Sequence, residues 1–282
     1  MNLSKRARRA VYLTGIYLAI AIFAILFFTP VIWMVSTAFK FKSELFILPP
    51  HWIPQNPTLQ NFRDVFHNPV VIRFFLNSVV VALGTVLVSL SVGILAGYSF
   101  SRFPFRGSST AMLFILSSQM FPVVLFLIAL YIIFRKMHLL NTYFALIATH
   151  SSLTVPFTIW ILKSFFDTIP RELEEAAYID GCSRIQTLYI VILPLILPGL
   201  VATGIYSFLI SWNDFILGLT LTSDTSMRIL GPGISLSYMG EFEYEWGNMM
   251  AISLIVTVPV VITFLFLQKL FIKGLTAGAV KG

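Results

Sequence analysis

An all-α polytopic membrane protein with six transmembrane helices is the fold class this 282-residue chain predicts, on three observations. Apolar residues make up 57% of it and charged ones 11%, with a mean hydropathy of +0.88. A soluble domain of this size has too little interior to hide that much apolar surface. Six stretches contain no Asp, Glu, Lys or Arg, namely 11–39, 74–101, 107–134, 137–162, 185–213 and 246–268. Each can cross a bilayer core of about 30 Å, which takes roughly 20 helical residues. The third observation is the placement of Lys and Arg, which short cytoplasmic loops retain. With both termini inside, only Lys40, Lys42, Arg63, Arg73, Arg135, Lys136 and Arg228 of the 19 basic side chains fall outside.

The elements follow in order. Residues 11–39 come after a basic segment, Lys5 to Arg9, as a signal peptide would. The run is longer than a signal core of about 7–15 residues and ends in no small-residue cleavage site, so a retained first helix is expected. Residues 45–62 are also uncharged, but Pro49, Pro50, Pro54 and Pro57 forbid a continuous helix and indicate an extended loop. The outer connections are a long Pro-rich one at 40–73, a short one at 135–142 and a long acidic one at 214–245. In the last, Glu241, Glu243 and Glu245 alternate with Phe242, Tyr244 and Trp246, as solvated charge beside an aromatic belt does. Residues 1–282 are expected to form a single transmembrane domain with a charged cytoplasmic region at 168–185 and a tail at 271–282. The net charge of +7 suits anionic headgroups, and no nucleic-acid partner is implied.

Several chemistries lack their residues. No G-x-x-x-x-G-K-[ST] loop is present, so nucleotide hydrolysis is not encoded here and no enzyme is expected. His51, His67, His138 and His150 are far apart, the single Cys182 excludes a thiolate cluster or internal disulfide, and no metal site is expected. The six runs hold no charged residue, whereas ion-coupled carriers and membrane enzymes keep such groups at depth. His150 alone falls near the middle of a run, where a hydrogen bond between helices is the ordinary use and a proton relay the less common one. Energy for any work must therefore come from elsewhere, or the protein is passive.

The connection 168–185 is where a drive could enter. Pro170 suits a first helical turn, Glu172, Glu174 and Glu175 sit at its positive end, and Gly181 can close the helix in a left-handed conformation. Leu173, Ala176 and Ala177 at i, i+3 and i+4 predict one apolar, small-residue face. A helix of about 12 residues is marginal alone in water, so it must dock on something. A membrane surface, its own loop and a soluble partner all fit that pattern.

Here the sequence resembles a known family. Glu175-Ala176-Ala177, three residues, Gly181, nine residues and then Val191-Ile192-Leu193-Pro194 is similar to the E-A-A signature of permease subunits of binding-protein-dependent ABC importers. Val191 stands where that family more often has isoleucine. Asp180, Pro198, the segment Arg102-Phe103-Pro104-Phe105-Arg106-Gly107 and the ending from Lys273 to Gly282 resemble the carbohydrate branch, in particular the smaller, six-helix component of maltose-type permeases.

The resemblance implies a type I permease fold in the cytoplasmic (inner) membrane, with both termini cytoplasmic. It also implies a sugar or oligosaccharide as cargo, a second homologous permease chain, an ABC ATPase dimer and an extracytoplasmic sugar-binding protein. No cofactor would belong to this chain, since ATP and Mg would be bound by the partner ATPase. Glu174, Glu175, Ala176, Ala177, Asp180, Gly181 and Pro194 would form the ATPase-coupling region, and Lys273, Gly274, Lys281 and Gly282 the tail contact. A passive channel or secondary carrier for a small neutral solute remains the alternative.

Polar groups at membrane depth should face the bundle or a wet cavity. Ser117, Ser118 and Gln119 precede Pro122, Ser151 and Ser152 precede Pro156, and Tyr206, Ser207, Ser211 and Asn213 cluster on the fifth run with Thr203 at the same spacing. Each proline removes the donor for the carbonyl four residues earlier, at Ser118 and Ser152. These residues line a substrate path or serve as glue between helices, and for single hydroxyls glue is the commoner use.

Overall fold

The computed structural model describes residues 5–103, 105–238 and 245–279, with side chains described for 12–103, 105–238 and 245–269. Among them the chain is helical, with no strand. The helices are α1 Lys5–Ala38, α2 Gln60–His67, α3 Pro69–Arg102, α4 Ser108–Ser117, α5 Val123–Lys136, α6 Tyr143–Asp167, α7 Glu172–Ile179, α8 Arg184–Leu195, α9 Leu197–Trp212, α10 Ile216–Leu221, α11 Leu230–Tyr238 and α12 Trp246–Ala279.

Four helical stretches are long and apolar enough to cross a membrane unaided: Tyr12–Ala38, Pro69–Arg102, Tyr143–Asp167 and Trp246–Lys269. The other two expected spans are broken. Ser108–Met120 meets Val123–Lys136 at 94°, and α8 meets α9 at 82°. Both breaks sit at prolines, which cannot donate to the preceding turn. Pro122 lies in the first, with the Ser118 carbonyl accepting from Phe121 N in a tightened turn. Pro194 and Pro198 flank the second, at Ile196, after a π-helical stretch Thr187–Ile192. Pro156, by contrast, is absorbed inside α6.

Internal contacts divide the chain into two units. The first comprises residues 1–68 and 237–257. Its α1 exposes apolar side chains on every face up to Val35, which suits lipid or another chain. The segment after α1 is organised by Lys40, fully buried, whose Nζ donates to the His51 carbonyl and lies 4.2 Å from the Trp33 ring centre. Asn61 on α2 donates to the carbonyls of Ala38 and Lys40. The extended loop expected over 45–62 therefore stops at Leu59. No proline follows Pro57 in α2, and its Phe62 ring packs on Phe39 at 4.9 Å.

The second unit, residues 69–236 and 258–282, holds a helical core in which α3 and α6 run side by side. Gly84 faces Ile147, Ser89 bonds Thr154 at 2.6 Å, Gly93 faces Thr158 and Gly97 faces Lys163. The numbers rise together, so the pair is parallel. Small residues let the two backbones approach: a Cβ on Gly97 would sit 3.0 Å from the Lys163 amide nitrogen. Helix α9 runs antiparallel to both, with Phe165 against Gly199, Phe157 against Tyr206 and Phe75 against Trp212. Three buried hydroxyls are answered within their own helices, Thr85 by the Val81 carbonyl, Thr158 by Thr154 and Thr203 by Gly199.

The connection after α9 is not the open loop expected at 214–245. Asp214 accepts from the Leu217 and Gly218 amides and so starts α10, with Leu217 and Leu221 buried. Asn77 of α3 donates to the carbonyls of Ser226 and Arg228 and accepts from the Tyr143 hydroxyl, tying α3, α6 and that connection together. Residues 239–244, with Glu241, Phe242, Glu243 and Tyr244, lie outside the described residues.

Candidate coupling site

Helix α7 is short because its ends are defined. The Arg171 carbonyl accepts from Glu174 and Glu175, and Pro170 sits just ahead of the first turn, its own carbonyl accepting from Leu173. At the other end Gly181 N donates to Tyr178 O and Cys182 N to Ala177 O, a Schellman closure with Gly181 at φ +86°. The left-handed termination expected at Gly181 is thus present, and a side chain there would pay a steric cost in the backbone alone, since no atom lies within 4 Å of its would-be Cβ. Ser183 and Gln186 form a capping box that starts α8, and α7 packs against the π-helical stretch Thr187–Ile192.

Orientation of the helix departs from the sequence reading in two residues. Glu174 is 6% exposed and belongs to its own chain: Arg102 Nε donates to Oε1 at 2.5 Å and the Tyr98 hydroxyl to Oε2 at 2.7 Å. Arg102 also donates to the Ile169 carbonyl at 2.9 Å. Ala177, at i+3 from Glu174, is buried on the same side. So the predicted Leu173, Ala176, Ala177 face is split, with Glu174 and Ala177 turned towards their own chain. The reason is pairing: a buried carboxylate needs an opposite charge and donors, and the end of α3 supplies both.

The outward face carries Leu173, Ala176 and Ile179 with Glu172, Glu175 and Asp180. Ile179 is 87% exposed and Leu173 42%. The face thus combines exposed apolar side chains with acidic ones on a helix whose other side is held by its own chain. Pro194, at the 82° bend, is exposed as well. Lys273 and Gly274 fall in α12 with their side chains outside the described residues, and Lys281 and Gly282 lie outside them altogether.

The polar residues assigned to a path sort into two groups. Ser151, Ser207 and Ser211 are buried among the helices of this chain, as the glue alternative expects. Their hydroxyls have no hydrogen-bond partner. Ser117, Ser118, Gln119, Ser152 and Asn213 are exposed. The structure joins two clusters that were separate in the sequence, because Gln119 Nε2 donates to the Leu153 carbonyl beside Pro156 at 2.9 Å. Ser117, Ser118, Ser152 and Asn213 bond back to their own helices. Tyr206 is half-buried, its ring 4.6 Å from Phe157, which in turn lies 5.8 Å from Trp160. Phe157 and Trp160 were not singled out from sequence, although two large aromatics at i, i+3 within a run were a usable signal.

His150 is fully buried. It bonds the Leu146 carbonyl of its own helix at 2.7 Å, and its Nε2 faces Asp214 Oδ2 at 3.5 Å. The expected partner across helices is therefore a carboxylate neighbour and not a hydrogen bond. No group of His, Cys, Asp and Glu among the described residues could hold a metal.

Straight and bent spanning helices, with one short helix displayed on the connection between two of them, are features of a membrane transport subunit. The chain belongs to the binding-protein-dependent transport system inner membrane components, a family that residues 89–277 match. It is 38% identical over 253 residues to the sulfoquinovosyl glycerol transport system permease protein SmoH of Agrobacterium fabrum, covering 90% of this chain and 88% of that one. It is 37% identical over 261 residues to the trehalose/maltose transport system permease protein MalG of Thermococcus litoralis, covering 92% and 93%. Among solved structures it is similar to a chain of a bacterial ABC transporter involved in the import of the acidic polysaccharide alginate, with a TM-score of 0.81, 20% identity and coverage of 95% and 99%. That likeness shows the fold, the all-α fold of a type I ABC importer permease.

Proposed function

We propose that this chain is the membrane-spanning permease subunit of an ABC importer for a sugar or oligosaccharide, moving its cargo by alternating access that separate ATPase subunits drive. The observation that carries the reading is the outward face of α7, where Ile179, Leu173 and Ala176 are displayed between acidic side chains on a helix fixed at both ends. The helix is docked on its own chain through Glu174 and Ala177, and the apolar side chains left on its other face suit a partner as interface anchors. The ATPase pair is that partner, and it holds the ATP and Mg. The tail from 271 to 282, with Lys273 and Lys281, adds a second contact to it.

Both termini are cytoplasmic in this reading, which places α7 on the cytoplasmic side, as the distribution of Lys and Arg supports. A second, homologous permease chain completes the path and covers part of α1. A sugar-binding protein delivers the cargo from outside. Sugar as cargo is supported by the two relatives named for sulfoquinovosyl glycerol and for trehalose and maltose, and by the uncharged and aromatic groups Gln119, Tyr206, Phe157, Trp160 and Asn213. Rings such as these stack on sugar faces, and amides bond their hydroxyls.

The test is to tag the chain, extract it from native membranes in mild detergent and identify what copurifies. A second permease and a P-loop ATPase are the expected companions. An ATPase-free homogeneous oligomer that still carries solute would replace this reading with a channel or carrier.

A further inference from the structure

We infer that Glu174, Arg102 and Tyr98 form a lock that makes α7 and the end of α3 one rigid body, so that displacement of α7 moves the α3–α6 pair directly. This rests on the reading of α7 as the part that receives the ATPase, and it assigns Glu174 a positioning role within this chain. The carboxylate is buried and accepts from two donors on α3, Arg102 Nε and the Tyr98 hydroxyl. Arg102 reaches three ways with its fixed fork, to Glu174, to the Ile169 carbonyl and to Ser101 Oγ at 3.4 Å. Ser101 in turn donates to Asp167 at the end of α6, which also holds Lys163 at 2.6 Å. The end of α3, the turn after α6 and α7 are thereby joined by charge-assisted hydrogen bonds, which are short and directional. One turn further along, the Gly97 backbone lies against Lys163, so α3 and α6 cannot slide independently.

The other end of α7 is built differently. There the backbone closes at Gly181 with positive φ, and the π-helical stretch that follows packs Leu188 and Ile192 into one buried cluster with Tyr98, Phe165 and Phe166. The α3 side is thus joined by an ion pair and directional hydrogen bonds and the α8 side by backbone closure and apolar packing, so a pull on α7 passes into α3 through the charged joint. A Glu174 side chain enclosed in this way is not shared with a partner subunit.

The experiment uses the whole transporter, this chain with its partner permease and ATPases, reconstituted in liposomes with its binding protein. ATP hydrolysed per solute imported is measured for Glu174→Gln, Arg102→Gln, the exchanged pair Glu174→Arg with Arg102→Glu, and Ile179→Glu. Each single lock variant is expected to retain its ATPase subunits and to raise the ratio by about ten-fold, a usual size for lost coupling between sites. The exchanged pair is expected to recover most of that loss. Tyr98→Phe removes one donor and keeps the packing, so it reads a smaller rise even where the charge variants fail to fold. Ratios within about two-fold of wild type for Glu174→Gln and Tyr98→Phe, with ATPase still bound, would overturn the lock. Full ATPase recovery with Ile179→Glu would instead overturn the reading of α7 on which it rests.

Discussion

Glu174 and Ile179 occupy opposite faces of one eight-residue helix, the first 6% exposed and held by α3, the second 87% exposed with nothing of its own unit upon it. One side of α7 is thus committed to its own chain and the other is free for a partner.

The free side gives the first prediction. Ile179→Glu loses no packing within the chain, so melting in detergent should stay within about 0.5 kcal/mol of wild type, as surface changes do. Recovery of the ATPase with the tagged permease should fall by about ten-fold or more, the size of a lost interface anchor. Unchanged recovery on affinity resin counts against α7 as the contact.

Gly97 gives a second. A Cβ there meets the Lys163 amide nitrogen at 3.0 Å and the Ile159 carbonyl at 3.3 Å, both backbone atoms that cannot rotate away. Gly97→Val should destabilise by about 1–3 kcal/mol through overpacking. Gly204→Ala, whose Cβ meets only Leu90 at 3.6 Å and Val86 at 3.9 Å, should be tolerated. Thermal unfolding of the two variants in one detergent compares them, and equal melting would contradict the close approach of α3 and α6.

At Gly181 the expected cost is in the backbone and not in space. Gly181→Ala should weaken the closure of α7 by about 1–2 kcal/mol, the penalty of a left-handed L-residue, and Gly181→Asn by less. Hydrogen exchange at Cys182 NH, which bonds Ala177 O, reads that closure. Equal protection in Ala, Asn and Gly forms would show the positive φ to be unnecessary.

The connection 223–228 should respond to acid. The Ser226 amide bonded to the Asp224 carboxylate, with Arg228 and Arg73 nearby, holds that carboxyl below its ordinary value. A depressed native value means that the carboxylate contributes stability above the ordinary carboxylate range and loses it as pH falls through the depressed value. Limited proteolysis of this connection should therefore be slow at neutral pH and accelerate in the acid range. Asp224→Asn should remove that step, and an identical acid profile in the variant would assign the step elsewhere.

Much of this was legible in the chain. The six apolar runs all became helix, and Gly181 closes α7 as its position implied, because both depend on local sequence. The bends at Pro122 and at Pro194 and Pro198 were only half legible, since Pro156 sits in the same kind of run without breaking α6. Whether a proline kinks or breaks a helix is decided by what neighbouring segments can satisfy, and that is tertiary. The orientation of α7 was not legible. An i, i+3, i+4 count grouped Ala177 with Leu173 and Ala176, but the inward face was chosen by the pairing of Glu174 with Arg102, 72 residues earlier in the chain. The parallel pairing of α3 and α6 through Gly84, Ser89, Gly93 and Gly97 likewise shows only once the two helices are set side by side.

The most direct test places a photo-crosslinking amino acid at Ile179 in the intact, membrane-embedded transporter and identifies the adduct by mass spectrometry. The expected adduct is with the nucleotide-binding ATPase subunit, formed at Ile179 and absent when the same probe replaces inward-facing Ala177. Adducts at Ile179 with lipid or with this chain alone would contradict it, because the exposed face of α7 would then be covered by something other than the motor.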